Sequence, residues 1–330
     1  IQLPENTPFL KVKNRNGHKV YGHRLIKSLY GLKQSGRNWQ QLLQKELFAF
    51  GFEKWNDIDC IVRKRDENGA TVCIVGYFVD DLIIAGTPKF VKETIQNIQR
   101  VFKCTIADFN AEGGKEILGV DIRFEGGYIK LNQEKFIRKI GERFNVEYKK
   151  YVTPLTPGFY FKPENRDLDI NVIELNERIA WMRSAVGSLL FIAGATRPDI
   201  QYAVNYIARV VLVPSDEIIA ETNRILRYVV STGNYEIRYK IGDQDTFDGY
   251  SDADHSGDKS DYISVRGSLF MYTGGPIAWR SKKGRVCQSS TEAELHAFIQ
   301  TCNMSRRLRR ILKFIYGFYE DRIELKQNFI

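Results

Sequence analysis

Cysteine and histidine are scarce in this sequence, and neither is grouped. The 330 residues contain five cysteines and four histidines, and no two cysteines form a C-x-x-C pair. A disulfide framework needs many cysteines, and a typical zinc site needs closely spaced cysteine and histidine ligands. The sequence therefore predicts neither feature, and a reducing intracellular compartment fits its cysteine usage best.

Long apolar runs are also absent. A membrane-spanning helix needs about 20 apolar residues in succession, and no run in this chain approaches ~18. Apolar residues make up 43% and charged residues 27% of the sequence. These proportions are typical of a globular protein and exclude wholesale disorder. At 330 residues, the chain is long enough for one large domain or for several ordinary ones.

Acidic residues are rare in the first 50 positions, where nine basic residues stand against two acidic ones. The whole chain has a net charge of +9, so nucleic acid is the first candidate partner. The basic segment contains SLYGLKQSGRNW at 28–39, in which a turn with Gly31 leads into a helix. Lys33, Arg37 and the helix N-terminus can face phosphates there. An ordinary helix start with Ser35 as a capping residue is the alternative.

Two adjacent acids, Asp80 and Asp81, interrupt the apolar stretch TVCIVGYFVDDLIIAG at 71–86. The β-branched and aromatic residues on both sides predict a buried β-hairpin with the two acids at its tip. Phosphoryl transfer between nucleotides uses divalent cations held by carboxylates, and a rigid hairpin tip suits such ligands. A solvated turn is the alternative, because Asp is common in turns.

The remaining pattern predicts an α+β chain. Prolines and Gly158 indicate a linker after about residue 150, and residues 171–232 are predicted to be mostly helical. A β-rich segment begins near Phe247 and is followed by a long helix from about Thr291 to Tyr316. The order is therefore an α+β unit, a helical connector, and a second unit that begins with strands and ends with a helix.

The segment LYGLKQSGRNW, followed by YFVDDLIIAG, closely resembles the reverse transcriptase of copia-type LTR retrotransposons. Further blocks extend the likeness over nearly the whole chain: ILGVDI, YVTPLTP, RSAVGSLLFIAGATRPDIQYAV, RILRYVVSTG, GYSDADHSGDKSD and PIAWRSKKGRVCQSSTEAELHAF. The resemblance implies a right-hand polymerase palm at 1–150 without its N-terminal part. It also implies a mostly helical thumb and connection at 151–245, and a C-terminally truncated RNase H-like α/β unit at 246–330.

The resemblance also implies roles for individual residues. Asp80 and Asp81 match the catalytic, metal-binding acids of the Y-x-D-D box, in which Phe78 replaces the usual Tyr. Asp252, in GYSDAD, resembles the first metal-binding Asp of an RNase H fold, and Glu294, in TEAELHAF, resembles its Glu partner. The residues expected to bind nucleotide or template are Tyr30, Gly31, Lys33, Gln34, Ser35, Arg37 and Phe78. The implied cofactor at both acidic pairs is Mg²⁺ or Mn²⁺.

Local patterns offer other roles for the second acidic pair. Thr291 with Glu294 fits a helix capping box, and Asp254 could replace Asp252 at the end of the strand. His255 stands where the family commonly has Trp, and we expect it to pack at the rim rather than bind metal. A basic helical surface, either solvated or in contact with phosphates, is formed by Arg306, Arg307, Arg309 and Arg310.

The family's palm uses a further Asp before the LYGLKQ segment, and only Glu5 precedes that segment here. The RNase H fold uses another Asp after the long helix, where no matching motif stands. We therefore expect little activity from this chain alone. The implied partners are template-primer, RNA–DNA hybrid and dNTPs, with no membrane, and the implied compartments are the cytoplasm, within virus-like particles, and the nucleus. The alternative is a non-catalytic, nucleic-acid-binding relic or domesticated remnant.

Overall fold

The structure is a computed structural model that describes residues 10–13, 19–22, 28–29, 31–55, 58–109, 113–161, 170–242, 247–259, 261–316 and 324–327. The chain divides into two compact units, 1–104 and 105–330. The three predicted regions, with boundaries near 150 and 245, stay a prediction, because compactness alone does not decide domain identity. Within the described residues, no helix has both the length and the apolar character needed to cross a membrane.

The first unit combines helices with two antiparallel sheets. Its elements are β1 (Leu10–Lys13), β2 (Lys19–Gly22), α1 (Ser35–Ala49), β3 (Phe52–Trp55), β4 (Ile58–Arg65), β5 (Thr71–Phe78), β6 (Asp81–Gly86) and α2 (Pro88–Val101). Strands β1 and β2 pair with each other, and β3 to β6 form a meander in chain order. The predicted hairpin at 71–86 is confirmed as β5 and β6.

One apolar core lies between the meander sheet and its two helices. Helical spacing places Leu43 and Leu47 of α1 on a single buried face, and alternation along β5 buries Val75 and Tyr77. The cluster is completed by Phe52, Val62, Cys73 and Ile98. Leu42, which the sequence pattern favours as part of the same stripe, is 45% exposed. Helix α1 therefore buries a narrower stripe than its apolar residues predict.

The second unit contains two further sheets and most of the helices. Its elements are β7 (Lys115–Ile117), β8 (Val120–Glu125), β9 (Tyr128–Asn132), α3 (Glu134–Arg143), α4 (Val172–Ala195), α5 (Gln201–Ala208), α6 (Asp216–Ser231), β10 (Ile237–Lys240), β11 (Phe247–Asp258), β12 (Ile263–Tyr272), β13 (Gly275–Lys283), α7 (Ser290–Tyr316) and β14 (Glu324–Gln327). The predicted helical stretch at 171–232 and the predicted helix over 291–316 are both confirmed.

The two sheets of the second unit differ in how their strands meet. The order of the first is β10-β9-β8-β7, so β9 pairs with β10 more than a hundred residues later in the chain. The order of the second is β13-β12-β11-β14. In that sheet β11, β12 and β13 are antiparallel neighbours, whereas β14 pairs parallel to β11 after the intervening helix α7. The second sheet is therefore mixed, and its parallel pair requires the helical crossover.

Helices α3 to α6 enclose the main core of the second unit. Its most buried members include Met182, Leu189, Ile207, Ile225 and Leu226. The linker predicted after about residue 150 is wrong for residues 151–161, because Phe161 is buried in this core and Tyr151, Leu155 and Phe159 pack against it. Two side chains connect the helices to β13: the Trp279 indole donates to the Ala193 carbonyl over 2.7 Å, and the Asn205 amide donates to the Ser281 carbonyl over 2.8 Å.

A buried arginine lies at the end of α4. The guanidinium of Arg197 is 1% exposed and donates two hydrogen bonds to the Asp199 carboxylate, at 2.9 and 2.7 Å. It also donates to the carbonyl and the hydroxyl of Thr232, and it lies over the rings of Tyr228 and Tyr235. Because its partners are Asp199 just after α4, Tyr228 in α6, and Thr232 and Tyr235 beyond α6, this side chain joins segments far apart in sequence.

Candidate functional site

The tip of the β5–β6 hairpin carries the first acidic pair. The register pairs Phe78 with Asp81, so the two central turn residues are Val79 and Asp80. The predicted tip is confirmed, but Asp81 begins β6 instead of lying in the turn. Val79, not an Asp, has the positive φ, 52°. That sign at the first turn position matches a type II′ turn, and it is strained for a β-branched residue.

All four residues of this tip, Phe78 to Asp81, are exposed. The ring of Phe78 is 60% exposed although it ends a strand whose preceding residue, Tyr77, is buried. Aspartates on a turn that two paired strands hold in place can present several carboxylate oxygens to solvent. Oxygen ligands of this kind are those that Mg²⁺ and Mn²⁺ prefer. The tip therefore fits a hard divalent cation.

A hydrogen bond joins the start of α1 to this tip. The indole Nε1 of Trp39 donates to the carbonyl oxygen of Val79 over 2.7 Å. The same ring packs edge-on against Phe102, with ring centroids 5.0 Å apart. One helical turn later, the Gln44 amide donates to the Tyr77 hydroxyl over 2.7 Å. These contacts place the N-terminal end of α1 beside the acids at the tip.

The basic segment that leads into α1 is folded back on itself. The Ser35 hydroxyl donates to the Leu29 carbonyl over 2.5 Å, and the Asn38 amide donates to the Ser28 hydroxyl over 2.9 Å. Gly31 has a φ of +92°, which only glycine adopts easily. The predicted turn into a helix is therefore confirmed. Helix α1 begins at Ser35, whose hydroxyl donates to Leu29, so the alternative of Ser35 as a capping residue is wrong.

The predicted nucleotide-binding residues of this segment are mostly exposed. Lys33, Gln34 and Arg37 are exposed and Ser35 is half-buried, whereas Tyr30 lies outside the described residues. No acidic residue occupies the first turn of α1, so its N-terminus remains electropositive. Helical spacing indicates that Trp39 lies on the apolar side of α1, and it does not reveal the hydrogen bond to the tip. The available signal was the indole N–H, a donor group at the end of the LYGLKQSGRNW segment.

Gly86 closes the other end of the same hairpin. A β-carbon at this position would lie 2.3 Å from the Val72 carbonyl oxygen and 2.7 Å from the Cys73 α-carbon. Both atoms belong to the neighbouring backbone and cannot move aside independently. The close approach of β5 and the end of β6 therefore requires glycine.

The second acidic pair lies where β11 meets α7. The backbone N–H of Ala253 donates to Oε1 of Glu294 over 3.3 Å, so this carboxylate lies next to exposed Asp252 along the strand. The pairing of β11 with β14 ends at Ser251. The Glu294 carboxylate therefore lies where the parallel pairing has stopped, and tertiary structure brings together two acids 42 positions apart in sequence.

Glu294 does not cap its helix. The Ser289 hydroxyl accepts from the Glu292 N–H over 3.1 Å, and Oε2 of Glu292 accepts from the Gln288 N–H over 2.8 Å. The capping pair is therefore Ser289 with Glu292, and the alternative of Thr291 with Glu294 is wrong. The backbone hydrogen bond to Gln288 is the main reason why the pKa of Glu292 is lowered.

Two neighbours of Asp252 have structural partners. Nε2 of His255 lies 3.0 Å from the Cys287 carbonyl oxygen, which agrees with the expected packing role at the rim. The Asp254 carboxylate lies against Gly257, in the irregular part of β11 between Asp254 and Asp258.

Basic side chains lie on the later turns of α7, well beyond Glu294. Of the four arginines predicted to form a basic helical surface, Arg306, Arg307 and Arg310 are exposed and Arg309 is half-buried. A cavity of about 390 Å³ between α7, β12 and β13 is lined in part by Arg266, Arg280 and Arg307. The surface along α7 beyond the second acidic pair therefore favours polyanions.

Comparison with known proteins agrees with these observations. Residues 7–157 match the family described as reverse transcriptase (RNA-dependent DNA polymerase). The chain is 34% identical over 285 residues to the retrovirus-related Pol polyprotein from transposon RE1 of Arabidopsis thaliana, which covers 85% of the chain and 18% of that protein. It is 33% identical over 304 residues to the Pol polyprotein from transposon TNT 1-94 of Nicotiana tabacum, which covers 90% and 22%.

A truncated Ty1-A Gag-Pol polyprotein of Saccharomyces cerevisiae is 27% identical over 305 residues, or 88% of the chain and 25% of that protein. No solved structure matches. The chain carries a reverse transcriptase domain, and this domain implies a palm-type polymerase fold. It belongs to the copia-type retrotransposon Pol polyproteins and spans about a fifth to a quarter of the length of these relatives.

Proposed function

We propose that this chain is part of an RNA-directed DNA polymerase, in which Asp80 and Asp81 hold the catalytic divalent cations, Mg²⁺ or Mn²⁺. The observation that carries the proposal is the exposed acidic tip, hydrogen-bonded to α1, within the segment that matches reverse transcriptases. The substrates are dNTPs and a primer paired with an RNA or DNA template. The working compartment is intracellular, in the cytoplasm and the nucleus.

The chain's own residues bind and orient the substrates. When bound, divalent cations supply charge neutralisation at the attacking and leaving oxygens of the reaction. Lys33, Arg37 and the N-terminus of α1 contact phosphates, because cationic groups and free N–H groups favour anions. The exposed ring of Phe78 packs at the primer end beside Asp81.

Primer extension tests the polymerase assignment. The chain, lengthened at its N-terminus to include the further Asp that the family's palm uses, is incubated with a DNA primer on an RNA template, dNTPs and Mg²⁺ or Mn²⁺, together with the variants Asp80→Asn and Asp81→Asn. The chain of 330 residues should extend the primer little or not at all. We expect each variant to reduce extension by about a thousandfold or more, equivalent to ~4 kcal/mol of transition-state stabilisation. Asp66→Asn is the matched control, because Asp66 lies in the β4–β5 turn and accepts from Ala70 N–H. Extension that survives Asp80→Asn contradicts the proposal.

We propose a second activity, RNase H-like cleavage of the RNA strand in an RNA–DNA hybrid. The supporting observation is the sheet β13-β12-β11-β14 with α7 as the crossover, together with Glu294 beside Asp252. In a chain lengthened at its C-terminus to include the further Asp that the RNase H fold uses, we expect Asp252→Asn and Glu294→Gln to abolish Mg²⁺- or Mn²⁺-dependent cleavage of a labelled hybrid. Asp261→Asn is the control, because Asp261 forms a surface ion pair with Lys283. Equal cleavage by all variants argues against this activity.

Nucleic-acid binding without catalysis is the remaining candidate, and the net charge of +9 favours it. If the chain binds primer-template but neither extends nor cleaves it, this reading replaces the other two. Binding should weaken steeply as salt rises, because each neutralised phosphate releases counterions. An affinity that does not depend on salt would count against all three readings.

A further inference from the structure

We propose that Cys287, Glu292 and His296 form a binding site for a single zinc-like divalent cation at the N-terminal end of α7. Their ligand atoms, a thiol sulfur, a carboxylate oxygen and a ring nitrogen, all lie within 4.8 Å of one another. These three residue types are the usual zinc ligands in proteins. Neither proposed activity uses any of the three residues, so the site is separate from both acidic pairs.

The distances suit a shared coordination sphere. Nε2 of His296 lies 3.5 Å from Oε1 of Glu292. In a tetrahedral zinc site with bonds of about 2.0–2.2 Å, two nitrogen or oxygen ligands lie roughly 3.3–3.6 Å apart. The two residues are four positions apart on α7 and therefore lie on the same helical face. Cys287 is buried immediately before the helix, so only small movements bring all three atoms to one ion.

The surrounding structure already orients the carboxylate. Oε2 of Glu292 accepts from Gln288 N–H, while Oε1 is turned toward His296. The two oxygens therefore have different partners, as in many metal sites where an outer hydrogen bond fixes a ligating carboxylate. Glu292 also lies in the first turn of α7, which the Ser289 hydroxyl caps. The Glu292 carboxylate is therefore held in position without a bound metal ion.

The positively charged side chain of Arg285 already contacts two of these ligands, His296 and Glu292. Nε of Arg285 donates to Nε2 of His296 over 3.0 Å, and a terminal nitrogen of the guanidinium lies 3.6 Å from Oε1 of Glu292. Because a guanidinium only donates, Nε2 of His296 is the acceptor in this contact, and an accepting ring nitrogen is also the atom that binds a metal ion. The Arg285 side chain is 64% exposed and can turn into solvent. Arg285 and a metal ion therefore compete for one site.

Metal binding would tie the segment before α7 to the first two turns of that helix. The same helix carries Glu294, which accepts from the backbone of β11. A bound cation would therefore fix the register of the helix against the preceding chain. The sequence alone does not indicate this site, because the spacing C-x4-E-x3-H contains no paired cysteines and no second histidine.

Cobalt titration tests this site, because a thiolate bound to Co²⁺ gives a charge-transfer absorption that oxygen ligands do not give. The full chain is stripped with a chelator, kept reduced and titrated with Co²⁺. We expect the band to saturate at one ion per chain and to disappear when Zn²⁺ is added. Cys287→Ser should abolish the band, whereas Cys302→Ser, which alters a cysteine within α7, should retain it.

Two further variants keep the test independent of folding defects. We expect Arg285→Gln to tighten Co²⁺ binding several-fold, since it removes the competing cation. His296→Gln should weaken binding by at least about tenfold while circular dichroism stays unchanged. The proposal is overturned if no band forms, if the band survives Cys287→Ser, or if Arg285→Gln leaves the affinity unchanged. Because Asp80, Asp81 and Asp252 give no thiolate band, the result does not depend on the proposed polymerase or nuclease activity.

Discussion

The two acidic sites are built in opposite ways. Asp80 and Asp81 are neighbours in sequence, and one tight hairpin brings both to the surface. Asp252 and Glu294 come from a strand and a helix, and only the packing of α7 on β11 brings them together. The first site depends on local backbone geometry, whereas the second depends on the whole of its unit. Only substitutions close to the hairpin should therefore disturb the first site, whereas substitutions far from the second site should also disturb it.

The interiors of the two units show a similar contrast between local contacts and contacts that join distant segments. The core of the first unit, as far as the structure describes it, is an apolar cluster between one sheet and two helices. The second unit also buries polar side chains that join distant segments, such as Arg197 with Thr232 and Ser268 with Thr301. Buried polar groups stabilise a fold only while their partners are present, so losing one partner is costly.

The largest expected effect is that of Arg197→Ala. It removes a buried guanidinium that contacts Asp199 and Thr232, and it should lower the free energy of unfolding by about 3 to 5 kcal/mol. Urea denaturation gives the change, and hydrogen exchange of peptides should place it mainly in the second unit. Arg138→Ala is the control, because Arg138 and its ion-pair partner Glu134 are both exposed, and it should cost about 1 kcal/mol or less. Equal losses for the two variants would remove this contrast between interior and surface.

The next effect concerns the hairpin of the first unit. Gly86→Ala places a β-carbon against the backbone of β5 and should destabilise the unit by roughly 2 to 3 kcal/mol. Gly76→Ala, in the same hairpin, meets no atom within 4 Å and should be nearly neutral. Thermal unfolding of both variants measures the difference. If both melt like the parent chain, the strands approach each other less closely than the structure shows.

A smaller effect tests how far the acidic tip relies on tertiary contacts. Trp39→Phe removes the hydrogen bond to Val79 but keeps an aromatic ring beside Phe102, and should cost about 1 kcal/mol. Hydrogen exchange should increase at the tip of β5 and β6 more than elsewhere. Phe102→Leu keeps the hydrogen bond and is the control. An unchanged tip in Trp39→Phe would mean that the hairpin alone holds the acids.

A separate effect is expected at alkaline pH. Burial raises the pKa of Tyr239 to about 12, and burial with the nearby Asp199 carboxylate raises the pKa of Tyr228 to about 12. Unfolded chains lose these protons near pH 10, so the stabilisation is complete below pH 10 and is lost as pH rises toward 12. Urea midpoints measured from pH 9 to 12 should fall, and Tyr239→Phe should reduce the slope. A flat profile would show that neither hydroxyl stays buried.

Local patterns account for much of the fold. The hairpin at 71–86, the two strands around Gly126 and the helix that ends at Tyr316 all follow from periodicity and turn residues. They were predictable because each depends on neighbours within a few positions. The pairing of β9 with β10 and the parallel pairing of β14 with β11 were not predictable from such signals, because neither partner carries information about the other's place in the chain.

The sequence alone determined the family, the acidic pair at 80–81 and the basic turn before α1, since all three are contained in short continuous segments. Tertiary structure decided the rest. It shifted the turn to Val79 and Asp80, gave the Trp39 indole a partner, assigned the helix cap to Ser289 and Glu292, and placed Glu294 beside β11. These outcomes depend on which backbone groups remain unpaired after the strands and helices have packed, and only the folded chain defines those groups.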